Sequence, residues 1–106
     1  MKIAISSTGK TPEATIDKRF ARCSYFVIYD KESGGIEYLP NPVKDAEDGA
    51  GPTAVELLAR RQVKKIISGE FGLKIKPLLD NLKIQMIVIQ DEKTVGEVLE
   101  MLENQN

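Results

Sequence analysis

Apolar and polar residues alternate over Lys2-Ile3-Ala4-Ile5-Ser6, which places Ile3 and Ile5 on one face of a short strand. Residues 7–23 then carry Ser, Thr, Gly and charge with no period, a gap long enough to be functional or mobile. Tyr25-Phe26-Val27-Ile28-Tyr29 and Ile36-Glu37-Tyr38-Leu39 are β-rich runs, and Asp30-Lys31-Glu32-Ser33-Gly34-Gly35 between them reads as a hairpin loop. Pro40 and Pro42 end the third strand, and a second irregular segment runs to Gly51.

The second half alternates helix and strand. Pro52 suits the first turn of a helix whose inner face is expected to hold Ala54, Leu57, Leu58 and Arg61. Lys65-Ile66-Ile67-Ser68 is a short strand. Ile75, Leu78, Leu79 and Leu82 fall at i, i+3, i+4 and i+7, the face of an amphipathic helix in which Pro77 belongs to the first turn or makes a kink. Residues 84–90 are nearly continuously apolar, as expected of a strand covered on both faces. Thr94-Val95-Gly96-Glu97 has the form of a capping box, followed by Val98, Leu99 and Leu102 at helical spacing.

The order β-β-β-α-β-α-β-α over one domain, residues 1–106, predicts an α/β fold: a five-stranded mixed sheet with three helices. Right-handed crossovers make the strands at Ile3, Ile66 and Ile87 parallel, with the strand over residues 25–29 antiparallel to the first. One sheet edge then collects Thr8 and Gly9, the approach to Cys23, the Gly49-Ala50-Gly51-Pro52 turn, and Gly69-Glu70-Phe71-Gly72. Ligands of open α/β sheets usually sit at such an edge. Those glycines fit close approach of backbone to a ligand, or equally the needs of tight turns.

With 42% hydrophobic and 29% charged residues and a net charge of −1, the chain reads as a soluble globular protein without the basic face of a nucleic-acid binder. No apolar run reaches the about 20 residues of a membrane span, and the first residues do not form a signal peptide. A single Cys fits a reducing cytoplasm. The absence of His removes imidazole metal sites and His-dependent triads.

The stretches Lys2-Ile3-Ala4-Ile5, Asp17-Lys18-Arg19-Phe20-Ala21-Arg22-Cys23-Ser24-Tyr25-Phe26, Gly49-Ala50-Gly51-Pro52, Leu57-Leu58 and Ile66-Ile67-Ser68-Gly69-Glu70-Phe71-Gly72 occur in this order and spacing. Together they resemble the dinitrogenase iron-molybdenum cofactor biosynthesis family, small domains related to nitrogenase accessory cluster carriers. The resemblance implies a ribonuclease-H-like three-layer fold. It also implies a non-catalytic role in carrying or inserting an iron–sulfur-type metallocluster, such as iron-molybdenum cofactor or a precursor. Metallocluster donor and acceptor proteins are the implied partners. The chain departs from the family's His-Phe-Gly-Arg stretch, having Arg19-Phe20-Ala21-Arg22 in its place.

Cys23 is then the candidate metal ligand, gripping one iron of a preformed cluster, with flanking Arg22 expected to lower its pKa. The alternative is a small buried residue leading into the strand. Arg19 and Arg22 are candidates to balance an anionic cluster or an organic acid such as citrate, Arg22 ahead of Arg19, against a reading as surface charge. Thr8, Gly9, Gly49, Gly51, Gly69 and Gly72 complete the expected binding set. A ribonuclease-H-type nuclease needs carboxylates on the first strand to hold two metal ions, and Lys2-Ile3-Ala4-Ile5-Ser6 has none. The competing expectation is a ligand-free regulatory or assembly module that binds a protein partner. A monomer or weak homodimer is expected.

Overall fold

The first strand, β1 (Lys2–Ser7), is buried from Ile3 onward and lies in the middle of the sheet in the computed structural model, which describes residues 1–104. On one side it pairs antiparallel with β2 (Tyr25–Asp30), Ile5 opposite Val27, and β2 pairs antiparallel with β3 (Ile36–Pro40). On the other side β1 runs parallel to β4 (Val63–Ser68), and β4 parallel to β5 (Gln85–Val88). The sheet order is β3-β2-β1-β4-β5, so β2 alone runs against the other four strands. The C-terminal ends of β1, β3, β4 and β5 and the start of β2 therefore share one edge, as the element order implied.

Two of the three helices, α1 (Ala50–Arg60) and α2 (Lys76–Asn81), cover one face of the sheet, where Ala4, Phe26, Ile28 and Ile66 meet Ala54, Val55, Leu58 and Leu79. The third, α3 (Val95–Glu103), covers the other, where Ile3, Ile5, Val27 and Ile67 meet Val95, Val98, Leu99 and Leu102. This gives three layers and two cores. The capping box forms: Glu97 N–H donates to Thr94 Oγ1 at 3.1 Å, and Thr94 N–H donates to Glu97 Oε1 at 3.0 Å. Pro77 sits in the first turn of α2, where its missing N–H leaves no bond unmade.

Four expectations are corrected. The apolar run over residues 84–90 forms an edge strand, with Val88 51% exposed, because β5 has β4 on one side and no strand on the other among the described residues. Leu82 lies at the end of α2 and is 39% exposed, while Leu79 is fully buried. Arg61 leaves the inner face of α1, where Val55 takes the buried place; its guanidinium reaches Glu37 Oε1 on β3 at 2.6 Å. The segment between β1 and β2 buries Ile16 in one core and Phe20 in the other. It is stitched down by bridges from Ile16 to Ser7, Thr15 to Thr94 and Arg19 to Glu70.

Candidate functional site

The common strand edge divides into a packed half and an open half. In the packed half, the chain at Asp17 and Lys18 crosses the ends of β1 and β4. Ser6 Oγ lies 2.8 Å from both the Asp17 carbonyl and Ser68 Oγ, and Ser68 Oγ lies 3.3 Å from the same carbonyl. A Cβ on Gly69 would stand 2.6 Å from Lys18 Cα, so Gly69 is required by one backbone crossing another. Gly69 is thus used for chain packing and does not border the open cleft. Thr8 and Gly9 are likewise absorbed in a turn: Thr8 N–H donates to the Thr15 carbonyl at 3.0 Å, and Ser7 Oγ donates to the Gly9 carbonyl at 2.7 Å.

Cys23 belongs to this packed half. Its side chain is fully buried in the core formed by Phe20, Phe26 and Leu58. Burial pushes the thiol up to about 12, and the negative charge of Asp17 adds to this; the Ser7 backbone amide and the Asn41 side chain oppose it. The expected lowering by Arg22 is not found, since the Arg22 guanidinium points elsewhere. Asn41 Nδ2 donates to the carbonyls of Ala21 and Cys23 at 2.8 and 2.9 Å and fixes the chain around the thiol. Cys23 thus takes the packing role rather than that of an accessible thiolate.

The open half is a cleft of about 620 Å³ with predominantly apolar walls. Its lining brings together Arg19, Arg22, Gly49, Gly51 and Gly72 from the sequence-based set. Phe20 forms part of the wall, in tilted contact with Phe71, ring centroids 5.5 Å apart, and with Phe26 at 5.7 Å. Gly49 holds a left-handed φ of 72° and leads into α1, whose start has no side-chain cap and no acidic residue in its first turn. The positive end of α1 therefore opens onto the cleft.

The two arginines differ in what they are free to do. Arg22 Nη1 donates to the carbonyls of Lys44 and Ala46, clamping the loop before α1. Arg19 is 62% exposed, with a long 3.7 Å contact to Asp17 that leaves most of its donors unused. Of the two, Arg19 is the one whose guanidinium has free donors. Sequence reasoning also missed Lys74, which joins Arg19 and Arg22 in the lining, where Glu70 is the one carboxylate and Asp17 lies beside Arg19. The position of Lys74 directly after Gly72-Leu73 was the available signal. Among the described residues no group of three or more His, Cys, Asp or Glu could hold a metal ion. No helix among them is long and apolar enough to cross a membrane.

Comparison with known proteins agrees with this architecture. A candidate NifB protein from Thermotoga, of the DUF35 family, superimposes with a TM-score of 0.80 at 33% identity, over 93% of this chain and 84% of its own. The apo form of the orange protein from Desulfovibrio gigas gives a TM-score of 0.86 at 26% identity, over 93% and 83% of the two chains. A candidate dinitrogenase from Methanocaldococcus jannaschii shares the fold, with a TM-score of 0.62 at 18% identity over 96% and 90%. None of the curated proteins matches significantly. The model of the dinitrogenase iron-molybdenum cofactor family matches residues 1–105, and the chain belongs to that family.

Proposed function

We propose that the chain is a non-catalytic carrier whose cargo, a preassembled anionic iron–sulfur-type metallocluster, sits in the cleft between Arg19, the start of α1 and Lys74. The observation that carries this reading is the convergence of Arg19, Lys74 and an uncapped helix start on one mostly apolar cleft, which Arg22 borders while its guanidinium holds the preceding loop. Its volume is within the range of small-molecule sites, roughly 300–1,000 Å³. The family membership supports this class of cargo.

The donor set determines how such a cargo would be held. Cys23 is buried and protonated, and the chain has no His, so the cluster would have to bring its own inner ligands. The cleft offers guanidinium and ammonium groups and backbone N–H donors, which suit the negatively charged outer surface of a complete cluster or an organic acid on it. Apolar walls exclude water and strengthen those charge interactions. Release to an acceptor would then require no iron–protein thiolate bond to break.

The test is anaerobic loading with a preformed [4Fe–4S] cluster bearing small thiolate ligands, read by iron content and visible absorbance after desalting. Wild type and Cys23→Ser, the latter checked for folding, are expected to retain cluster equally. Arg19→Ala is expected to retain less, with the difference narrowing as salt is added. A folded Cys23→Ser that loses all cluster would return the thiolate to the site. Leu73, 93% exposed at the rim of the cleft, favours a second reading in which this face docks on a protein partner without cargo. Wild type that retains no cluster would leave that reading in place.

A further inference from the structure

The first turn of α1 carries two amides that the protein itself does not use. Thr53 N–H donates to the Gly49 carbonyl at 3.2 Å, and Pro52 has no N–H. Those of Ala50 and Gly51 remain, and neither has an acceptor among the described residues. Both residues line the cleft. The core grips α1 through Ala54, Val55 and Leu58, a turn or more further on. The first turn itself is weakly specified, since no side chain caps it and Gly51 within it has low helix propensity.

What precedes that turn decides how firmly it is held. Residues 47–49 are exposed, and a Cβ on Gly49 would meet nothing within 4 Å. The tethers before them link this loop to the segment leading into β2. Asn41, itself buried, donates through Nδ2 to the Ala21 and Cys23 carbonyls and accepts from Val43 N–H at 3.1 Å. Further along, Arg22 Nη1 donates to the carbonyls of Lys44, at 3.2 Å, and Ala46, one for each of its two hydrogens. A guanidinium makes such bonds stronger than a neutral donor would. The loop needs that strength, because Asp45, Glu47 and Asp48 give it a negative charge that an anion in the cleft repels.

We infer that Arg22 is a positioning residue of the cleft: by holding the Lys44 and Ala46 carbonyls it fixes the first turn of α1, and so keeps the Ala50 and Gly51 amides aimed at an anion without touching that anion itself. It does the work of the cap that α1 lacks, from another segment of the chain. The inference rests on the reading of this cleft as a seat for anionic cargo. It gives the two arginines different parts: Arg19 meets the charge of the cargo, and Arg22 holds the backbone that meets it.

Amide NMR spectra of the full chain, titrated with citrate as a small multivalent anion, test this. In wild type the Ala50 and Gly51 amides are expected to shift on titration. Arg22→Met keeps the aliphatic stem; it is expected to move the amides of residues 44–51 before any citrate is added and to weaken citrate about fivefold, with β1 and β4 unmoved. Arg22→Lys, a milder change that serves even where Arg22→Met unfolds the chain, is expected to show smaller changes of the same kind. Arg19→Ala weakens citrate with residues 44–51 in place, and added salt narrows its loss, whereas the loss in Arg22→Met largely persists. Residues 44–51 unmoved by either Arg22 variant, or a loss that salt abolishes, would mark a direct charge contact and overturn the proposal. Wild-type Ala50 and Gly51 amides indifferent to citrate overturn it too. Cluster loading separates this from the carrier reading. Equal retention by wild type and a folded Arg22→Met overturns the role of Arg22 alone, while amides that answer citrate as expected in a chain that retains no cluster overturn the cargo alone.

Discussion

The packed and open halves of the strand edge begin from similar sequence and end in opposite uses. Each has a glycine-bearing junction where a strand or loop gives way to the next segment. Gly69 lies under the backbone of Lys18, whereas Gly49 and Gly51 border a cleft. Polar groups divide in the same way. Ser6, Ser68 and the Asp17 carbonyl satisfy one another, while the start of α1 and the exposed head of Arg19 keep unused donors. A glycine at a sheet edge is thus no sign of a ligand by itself; the chain that crosses above it decides.

The division makes graded predictions, and the largest concerns the floor under the open half. Leu79, one turn beyond the cleft residue Ile75, is fully buried, and Leu79→Ala is expected to remove about 2–5 kcal/mol in denaturant unfolding. A loss below about 1 kcal/mol would show that α2 does not anchor the cleft wall. Next, Gly69→Ala drives a methyl into Lys18 backbone and is expected to cost about 1–3 kcal/mol, while leaving the cleft lining in place. An unchanged midpoint would dissolve the distinction between the halves.

Cys23 gives the packed half a pH signature. An unfolded thiol loses its proton near about pH 8.5–9. The native thiol holds its proton up to about 12, so between these values the native chain binds more protons than the unfolded one. The stabilisation is complete below that window and falls as pH rises through it, by at most about 1.4 kcal/mol per pH unit. Stability measured against pH for wild type and Cys23→Ala isolates this slope; parallel curves would mean that the thiol is solvated.

Smaller effects belong to the open junction. Gly49→Ala must place a side chain at a φ of 72° and is expected to cost about 1 kcal/mol, with no clash to add to it. Gly51→Ala sets its methyl 2.8 Å from Cγ2 of Ile75, a buried, β-branched side chain with little freedom to move aside. Stability is expected to fall by about 1 kcal/mol, and cluster retention falls because the methyl enters the cleft. Retention equal to wild type would move the cargo away from the start of α1.

The element order was legible because it is written in local periodicity. Thr94 and Glu97 specify the start of α3, Pro77 marks the first turn of α2, and the hairpin and crossover rules then orient all five strands. The position of β5 was not legible, since an apolar run such as Ile84 to Ile89 looks the same at an edge as in the middle of a sheet. The segment between β1 and β2 hid its order for another reason. Its links at Thr8, Asp17 and Gly69 are largely backbone hydrogen bonds, which leave no side-chain signature. For the site, the converging loops were foreseeable, but the division of labour between Arg19 and Arg22 was not. It depends on two carbonyls, at Lys44 and Ala46, that the chain brings beside Arg22 from another loop.

The central place of β1 also bears on how the chain acquires its structure. One neighbour, β2, comes soon after it in sequence, but the other joins Ile3 to Lys65. During synthesis from the N-terminus, β1, β2 and β3 can form a three-stranded meander early. The flank of β1 destined for β4 stays unpaired until residues 63–68 have been made. Closing that long loop is an entropic step that local hairpin formation avoids. The joining of β4 to β1 is therefore the event that turns an incomplete sheet into the finished one.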